Sequence, residues 1–130
     1  MKHTQRMQSP AMLFAILMLL LAAPCALAQP VLTLEGSCPG PMRAEVRGGV
    51  PNFTAHLLFA RSTGSFYIRY GPCWGTTLGL SSQGLRVVAS AIVDSQGQAS
   101  FEGVASPGAC GGYLQVFTSA CQTSNVVRIE

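Results

Sequence analysis

The chain has 130 residues, 48% of them hydrophobic and 10% charged, with a formal net charge of +3 at pH 7. Part of that charge sits in the first few residues: from Gln29 to Glu130 there are six arginines, no lysine and five acids, leaving +1. No basic cluster remains there, which excludes a nucleic-acid-binding surface.

The chain opens with Lys2, His3 and Arg6, followed by an unbroken apolar run of thirteen residues from Ala11 to Ala23. Ala26-Leu27-Ala28 then places small residues at the −3 and −1 positions of a cleavage site before Gln29. This is the order of a secretory signal peptide, predicted as a helix over residues 1–28. Two alternatives exist. An uncleaved anchor needs a longer run to span roughly 30 Å of hydrocarbon, and Pro24 breaks this one. A lipoprotein signal at Cys25 would want Gly, Ala or Ser in front of it, where this chain has Pro24. The expected location is therefore secreted or extracytoplasmic, in the cell envelope or beyond it, with no stable membrane span after cleavage.

Residues 29–130 are expected to form one domain. A domain of about 100 residues buries around two thirds of its unfolded surface. Val31 to Glu35 is a short strand, stopped by Gly36-Ser37-Cys38-Pro39-Gly40-Pro41. Met42 to Arg47 alternates, with Met42, Ala44 and Val46 inward and Arg43, Glu45 and Arg47 outward, so it is half-buried. After a turn at Gly48 to Asn52, Phe53 to Arg61 puts Phe53, Ala55, Leu57 and Phe59 on one face. Ser62 to Ser65 is expected to turn. Phe66, Ile68 and Tyr70 then share a face opposite Tyr67 and Arg69.

Gly71-Pro72-Cys73-Trp74-Gly75 is a tight corner, and Thr76 to Leu80 a short strand. A turn at Ser81 to Gly84 leads to Leu85 to Asp94, with Leu85, Val87, Ala89, Ala91 and Val93 on one face. Its valines and isoleucine favour strand over helix. Asp94-Ser95-Gln96-Gly97 signals a hairpin turn. Ala99 to Ala105 follows, then a loop at Ser106 to Ala109. Tyr113 to Ala120, a turn at Cys121 to Ser124, and Asn125 to Glu130 make a closing hairpin. The strand from Tyr113 is apolar on both faces, which suits the interior of a sheet. About eight short strands with turn signals every 8 to 12 residues or so predict an all-β, antiparallel β-sandwich.

Four cysteines remain after Gln29: Cys38, Cys73, Cys110 and Cys121. Their even number suits an oxidising compartment, and no Cys-x-x-Cys is present to suggest zinc or redox exchange. Strands that alternate up and down favour Cys38–Cys110 with Cys73–Cys121. The main rival is Cys38–Cys73 with Cys110–Cys121.

Chemistry-bearing groups are sparse. His56 is the one histidine after Gln29. It is expected to face outward, with no Gly-x-Ser-x-Gly elbow and no carboxylate spaced to orient it. Glu35, Glu45, Asp94, Glu102 and Glu130 stand singly, whereas glycosidase work needs two carboxyls across a bond. Asp94 to Gln98 has one carboxylate where a calcium loop needs several oxygens. No catalytic residue, metal site or cofactor is expected, and the protein is not expected to be an enzyme. Trp74 is the best candidate for a contact with a ligand, against the competing role of a tryptophan packed over a disulfide or the end of the core. Tyr67 and Arg69 are the next candidates, with Arg61 beside them. Asn52-Phe53-Thr54 is a glycosylation sequon, relevant only in a host with an endoplasmic reticulum.

The runs Gly36 to Gly40, Gly71 to Leu80 and Ala109 to Val116, with Thr123 to Val127, resemble small secreted bacterial β-sandwich domains of gliding, predatory soil bacteria. The likeness covers nearly all of residues 29–130. It implies an immunoglobulin-like or related sandwich and carries over no function and no residue role. The expected role is non-catalytic, binding or structural, at the cell surface, envelope or extracellular matrix, with an envelope or extracellular glycan or protein as partner. The alternatives are a secreted inhibitor or effector acting through Gly71 to Gly75, and, further off, a small hydrolase.

Overall fold

The computed structural model describes residues 29–130. The signal peptide and helix expected over residues 1–28 lie outside the described residues. Nine strands follow in order: β1 Val31–Gly36, β2 Gly40–Arg47, β3 Thr54–Ala60, β4 Thr63–Tyr67, β5 Thr77–Leu80, β6 Arg86–Ile92, β7 Ala99–Ala105, β8 Tyr113–Thr118 and β9 Val127–Arg128. The only helical element among the described residues is a single 3-10 turn, Pro107–Ala109. None of them forms a helix long and apolar enough to cross a membrane.

All strand pairs are antiparallel. They form a three-stranded sheet β1-β2-β7, a four-stranded sheet β6-β3-β8-β9 and a separate hairpin β4-β5. Alternation explains the main core. Leu32, Ala44, Val46 and Phe101 of the first sheet meet Ala55, Leu57, Phe59, Leu114 and Val116 of the second in one buried cluster. The next residues along β3, Leu58 and Ala60, point to the opposite face. There they join Leu78 and Leu80 of β5 in a second cluster, with Phe66, Ile68, Tyr113 and Phe117 packed against it. The hairpin is thus a further layer, and β3 is buried on both sides.

Several local expectations change. β4 starts at Thr63, where a turn was expected, because Gly64 lets the chain run close to β5. A Cβ on Gly64 would lie 2.9 Å from the Ser81 Cα. β4 ends at Tyr67, so Tyr70 does not share the inward face of Phe66 and Ile68. Phe53 precedes β3 and is exposed. In β6 the register against β3 shifts: Leu57 faces Ala89 but Leu58 faces Val87. This bulge turns Val87 away from the face of Ala89 and Ala91 and leaves it exposed.

The Asp94 turn forms, its Oδ1 accepting from the amides of Gln96 and Gln98 at 2.9 Å each. It is no hairpin, however. It carries the chain from one sheet to the other, since β7 pairs with β2. Finally, β8 lies between β3 and β9, and β9 is only two residues long.

Disulfides join Cys38 to Cys110 and Cys73 to Cys121. Because neighbouring strands all run antiparallel, the Cys38 and Cys110 connections share one end of the domain and the Cys73 and Cys121 connections the other. Two disulfides suit an oxidising compartment.

Candidate functional site

The site is the corner between β4 and β5, residues 67–76. Two overlapping turns build it. Gly71 O accepts the amide of Trp74 at 3.3 Å, with Pro72 fixing φ at the second position. Cys73 O accepts the amide of Thr76 at 3.2 Å. Gly75 then needs a φ of 95°, a region open to glycine at little cost. The base is closed by Ile68 N–H donating to Thr76 O at 2.8 Å and Gly75 N–H donating to Ile68 O at 2.9 Å. Ile68 anchors the inward side in the second hydrophobic cluster. The Cys73–Cys121 bond ties the tip to the connection after β8.

This frame displays aromatic rings to solvent. Trp74 is 65% exposed, Tyr70 85% and Tyr67 45%. Trp74 is therefore mostly in solvent rather than packed into the core; the buried residue of the corner is Cys73. The Arg69 guanidinium stands 5.7 Å from the centre of the Tyr67 ring. That is within cation–π range and keeps an exposed arginine near a defined position. The Tyr67 hydroxyl comes within 3.7 Å of where a Cβ on Gly75 would sit, so Tyr67 leans toward the Trp74 turn. Tyr67, Arg69 and Trp74 are thus on one element, joined by Tyr70. Arg61 is not part of it. Its amide bonds Gln83 O at the far end of β4, and its stem lies against Gly84.

The hairpin is held to the main sheet by a residue that alternation disguises. Gln115 of β8 is only 4% exposed. Its Oε1 accepts the amide of Gly79 in β5 at 2.9 Å, and its Nε2 donates to Ser124 O at 2.8 Å. Ser124 is itself buried, and its hydroxyl accepts the Val116 amide and donates to Asn125 O, both at 2.8 Å. Gly79 permits the approach, since a Cβ there would meet Val126 Cγ2 at 2.8 Å. Among the described residues no buried side-chain nitrogen or oxygen lacks a hydrogen-bond partner.

The other candidate groups are scattered. His56 is half-buried on β3, and its Nδ1 lies 2.8 Å from Ser90 Oγ of β6. Sequence reasoning did not single out Ser90; its position opposite His56 follows only from strand register. No carboxylate is hydrogen-bonded to this pair among the described residues, so the pair lacks the orienting third group of a triad. Glu45 pairs with Arg43 at 3.4 Å and Arg47 at 3.1 Å, and Glu102 with Arg43 at 3.9 Å, all on the outer face of the three-stranded sheet. The described residues hold no group of three His, Cys, Asp or Glu able to bind a metal ion. The corner presents flat apolar rings, two phenol hydroxyls and one guanidinium on a hydrogen-bonded, disulfide-tied backbone.

Comparison with protein-family models, curated proteins and solved structures found no match.

Proposed function

We propose that this is a non-catalytic binding domain of the extracytoplasmic space, acting at the cell surface, envelope or extracellular matrix through the Tyr67–Gly75 corner. In this reading the two larger sheets pack as an immunoglobulin-like sandwich and the β4-β5 hairpin is the arm that presents the contact residues. The observation that carries it is the exposure of Tyr67, Tyr70 and Trp74 on a corner closed by hydrogen bonds and a disulfide. Large rigid aromatics beside an arginine have the composition of interface hot spots, and a pre-ordered loop loses little entropy on binding. Secretion is supported by the signal-like residues 1–28 and by the two disulfides.

The test is retention of envelope, matrix and culture-fluid fractions on the oxidised protein, beside a Trp74→Ala copy. Trp74→Ala should fold normally, because its ring is mostly in solvent. Retention of envelope or matrix material that falls at least tenfold in the variant is the expected result. Capture of one discrete soluble protein with the same dependence would favour an inhibitor or effector working through Gly71 to Gly75. Equal retention by both copies would remove the corner as the contact surface.

A further inference from the structure

β6 and β7 are edge strands of different sheets, and the main core opens between them. The opening is a cavity of about 260 Å³. Small residues make it: Ala44, Ala89, Gly103 and Ala109 line it where larger side chains would close it. Gly103 matters most. It stands opposite Met42, in register with the inward residues of β7, and a Cβ there would meet nothing within 4 Å. Phe59, Phe101 and Leu114 form apolar walls. Val88 and Val104, both exposed, extend the apolar lip.

One cation stands at this mouth. The Arg86 guanidinium lies over the face of Phe59, 4.9 Å from the ring centre. No carboxylate pairs with it among the described residues. Glu102, on the opposite lip, is turned to Arg43 on the outer face. A guanidinium held over a ring by its face has N–H donors left for a carboxylate. An apolar slot with a free arginine at its entrance matches an amphiphile with a negative head.

We propose that this gap binds one medium-chain fatty acid, its alkyl tail between the sheets and its carboxylate on Arg86. At about 260 Å³ the gap has room for a short run of methylenes, so the ligand is of medium rather than long chain length. The site is distinct from the aromatic corner and does not depend on it. An extended peptide adding to β6 is the other occupant an open seam suggests. The bulge at Val87–Val88 opposes it, because a bulge breaks the regular row of backbone groups that an added strand needs.

The test is calorimetric titration of the disulfide-bonded protein, expressed from the full chain in a secreting host, with sodium decanoate. Saturable one-to-one binding is expected, with a Kd of about tens to hundreds of micromolar for a ligand this small. Hexanoate, four methylenes shorter, should bind about two-hundredfold more weakly, at about fourfold per buried methylene. Decyltrimethylammonium should bind far more weakly than decanoate. Arg86→Met, which keeps apolar cover on Phe59, should weaken decanoate on the order of tenfold or more and leave decyltrimethylammonium bound no more weakly than before, since a like charge is removed. Gly103→Leu should fill the mouth and abolish binding of both, with an unchanged circular dichroism spectrum showing that it folds. Three results would each overturn the proposal: no saturable decanoate binding to the parent protein, full binding by Gly103→Leu, or no preference for the anion. If decanoate fails and the protein instead self-associates in a way that Val88→Lys abolishes, the edge serves strand addition.

Discussion

Replacing Gln115 with leucine tests how the β4-β5 hairpin is held to the main sheet. The two side chains are similar in size, so little cavity forms. The change removes the bonds to Gly79 N–H and Ser124 O and leaves both backbone groups facing an apolar side chain. An unsatisfied buried backbone group costs about 1–3 kcal/mol. Two such groups, less the gain from burying a leucine in place of an amide, give a loss of about 3 kcal/mol. For a domain of about 100 residues, with an unfolding entropy near 0.2 kcal/mol/K, that lowers Tm by about 14 °C. Differential scanning calorimetry of the oxidised protein measures it directly. Partner retention should fall as well, although no corner residue is altered, because β5 would lose its register on β8. A Tm within about 3 °C of the parent would refute the reasoning, since it would mean that apolar packing alone docks the hairpin.

Asn125→Ala should destabilise by about 1–3 kcal/mol and speed hydrogen exchange at the Leu32 amide. The Asn125 side chain accepts that amide at 2.7 Å and donates to Leu32 O at 3.0 Å, so it covers the free edge of β1. The pair Cys73→Ser with Cys121→Ser opens a link between residues 48 apart in sequence. Loop entropy sets its cost at no more than about 4 kcal/mol, read from denaturant unfolding, and Trp74 fluorescence anisotropy should drop as the corner loosens. His56→Ala removes one partly buried cross-strand bond to Ser90 and should cost about 1 kcal/mol in the same unfolding experiment.

β2 could be drawn directly from its sequence, because only one of its faces is covered. Met42, Ala44 and Val46 pack inward while Arg43, Glu45 and Arg47 pair in solvent. β3 was legible as a strand, but its second buried face was not, since Leu58 and Ala60 are covered by the β4-β5 hairpin, which folds back over that face as a separate layer. Gln115 was hidden for the same reason. A polar residue at an alternating position reads as solvated, and only the third layer turns it into a buried bridge. Its signal was a lone amide inside the apolar run Leu114 to Phe117. The bulge in β6 left no mark, because Val87 and Val88 are equally good strand residues on either face. The corner was the best-marked site: Gly71-Pro72 and Gly75 announce the turns, and a tryptophan beside a cysteine invites attention. Whether that ring packed inward or stood in water depended on Cys73 taking the buried position instead.

The two proposed sites sit at opposite ends of the domain and make opposite demands on packing. The corner needs stiffness, and everything around it supplies that: a disulfide, a closed turn, the Gln115 bridge and a glycine where β5 must approach the sheet. The seam needs space, and small residues supply it: Ala44, Ala89, Gly103 and Ala109 on a wall that Phe59 and Phe101 keep apolar. Gly103 is exposed at the mouth of the gap, and nothing lies within 4 Å of its missing Cβ, so a larger side chain there would cover the opening. Glycine in a strand interior weakens the strand and leaves room for something else to come close. If the gap were only a packing defect, Gly103→Leu would cover it and change nothing but stability. If the gap is a site, the same substitution also removes decanoate binding, so the two measurements taken on one variant separate a flaw from a function.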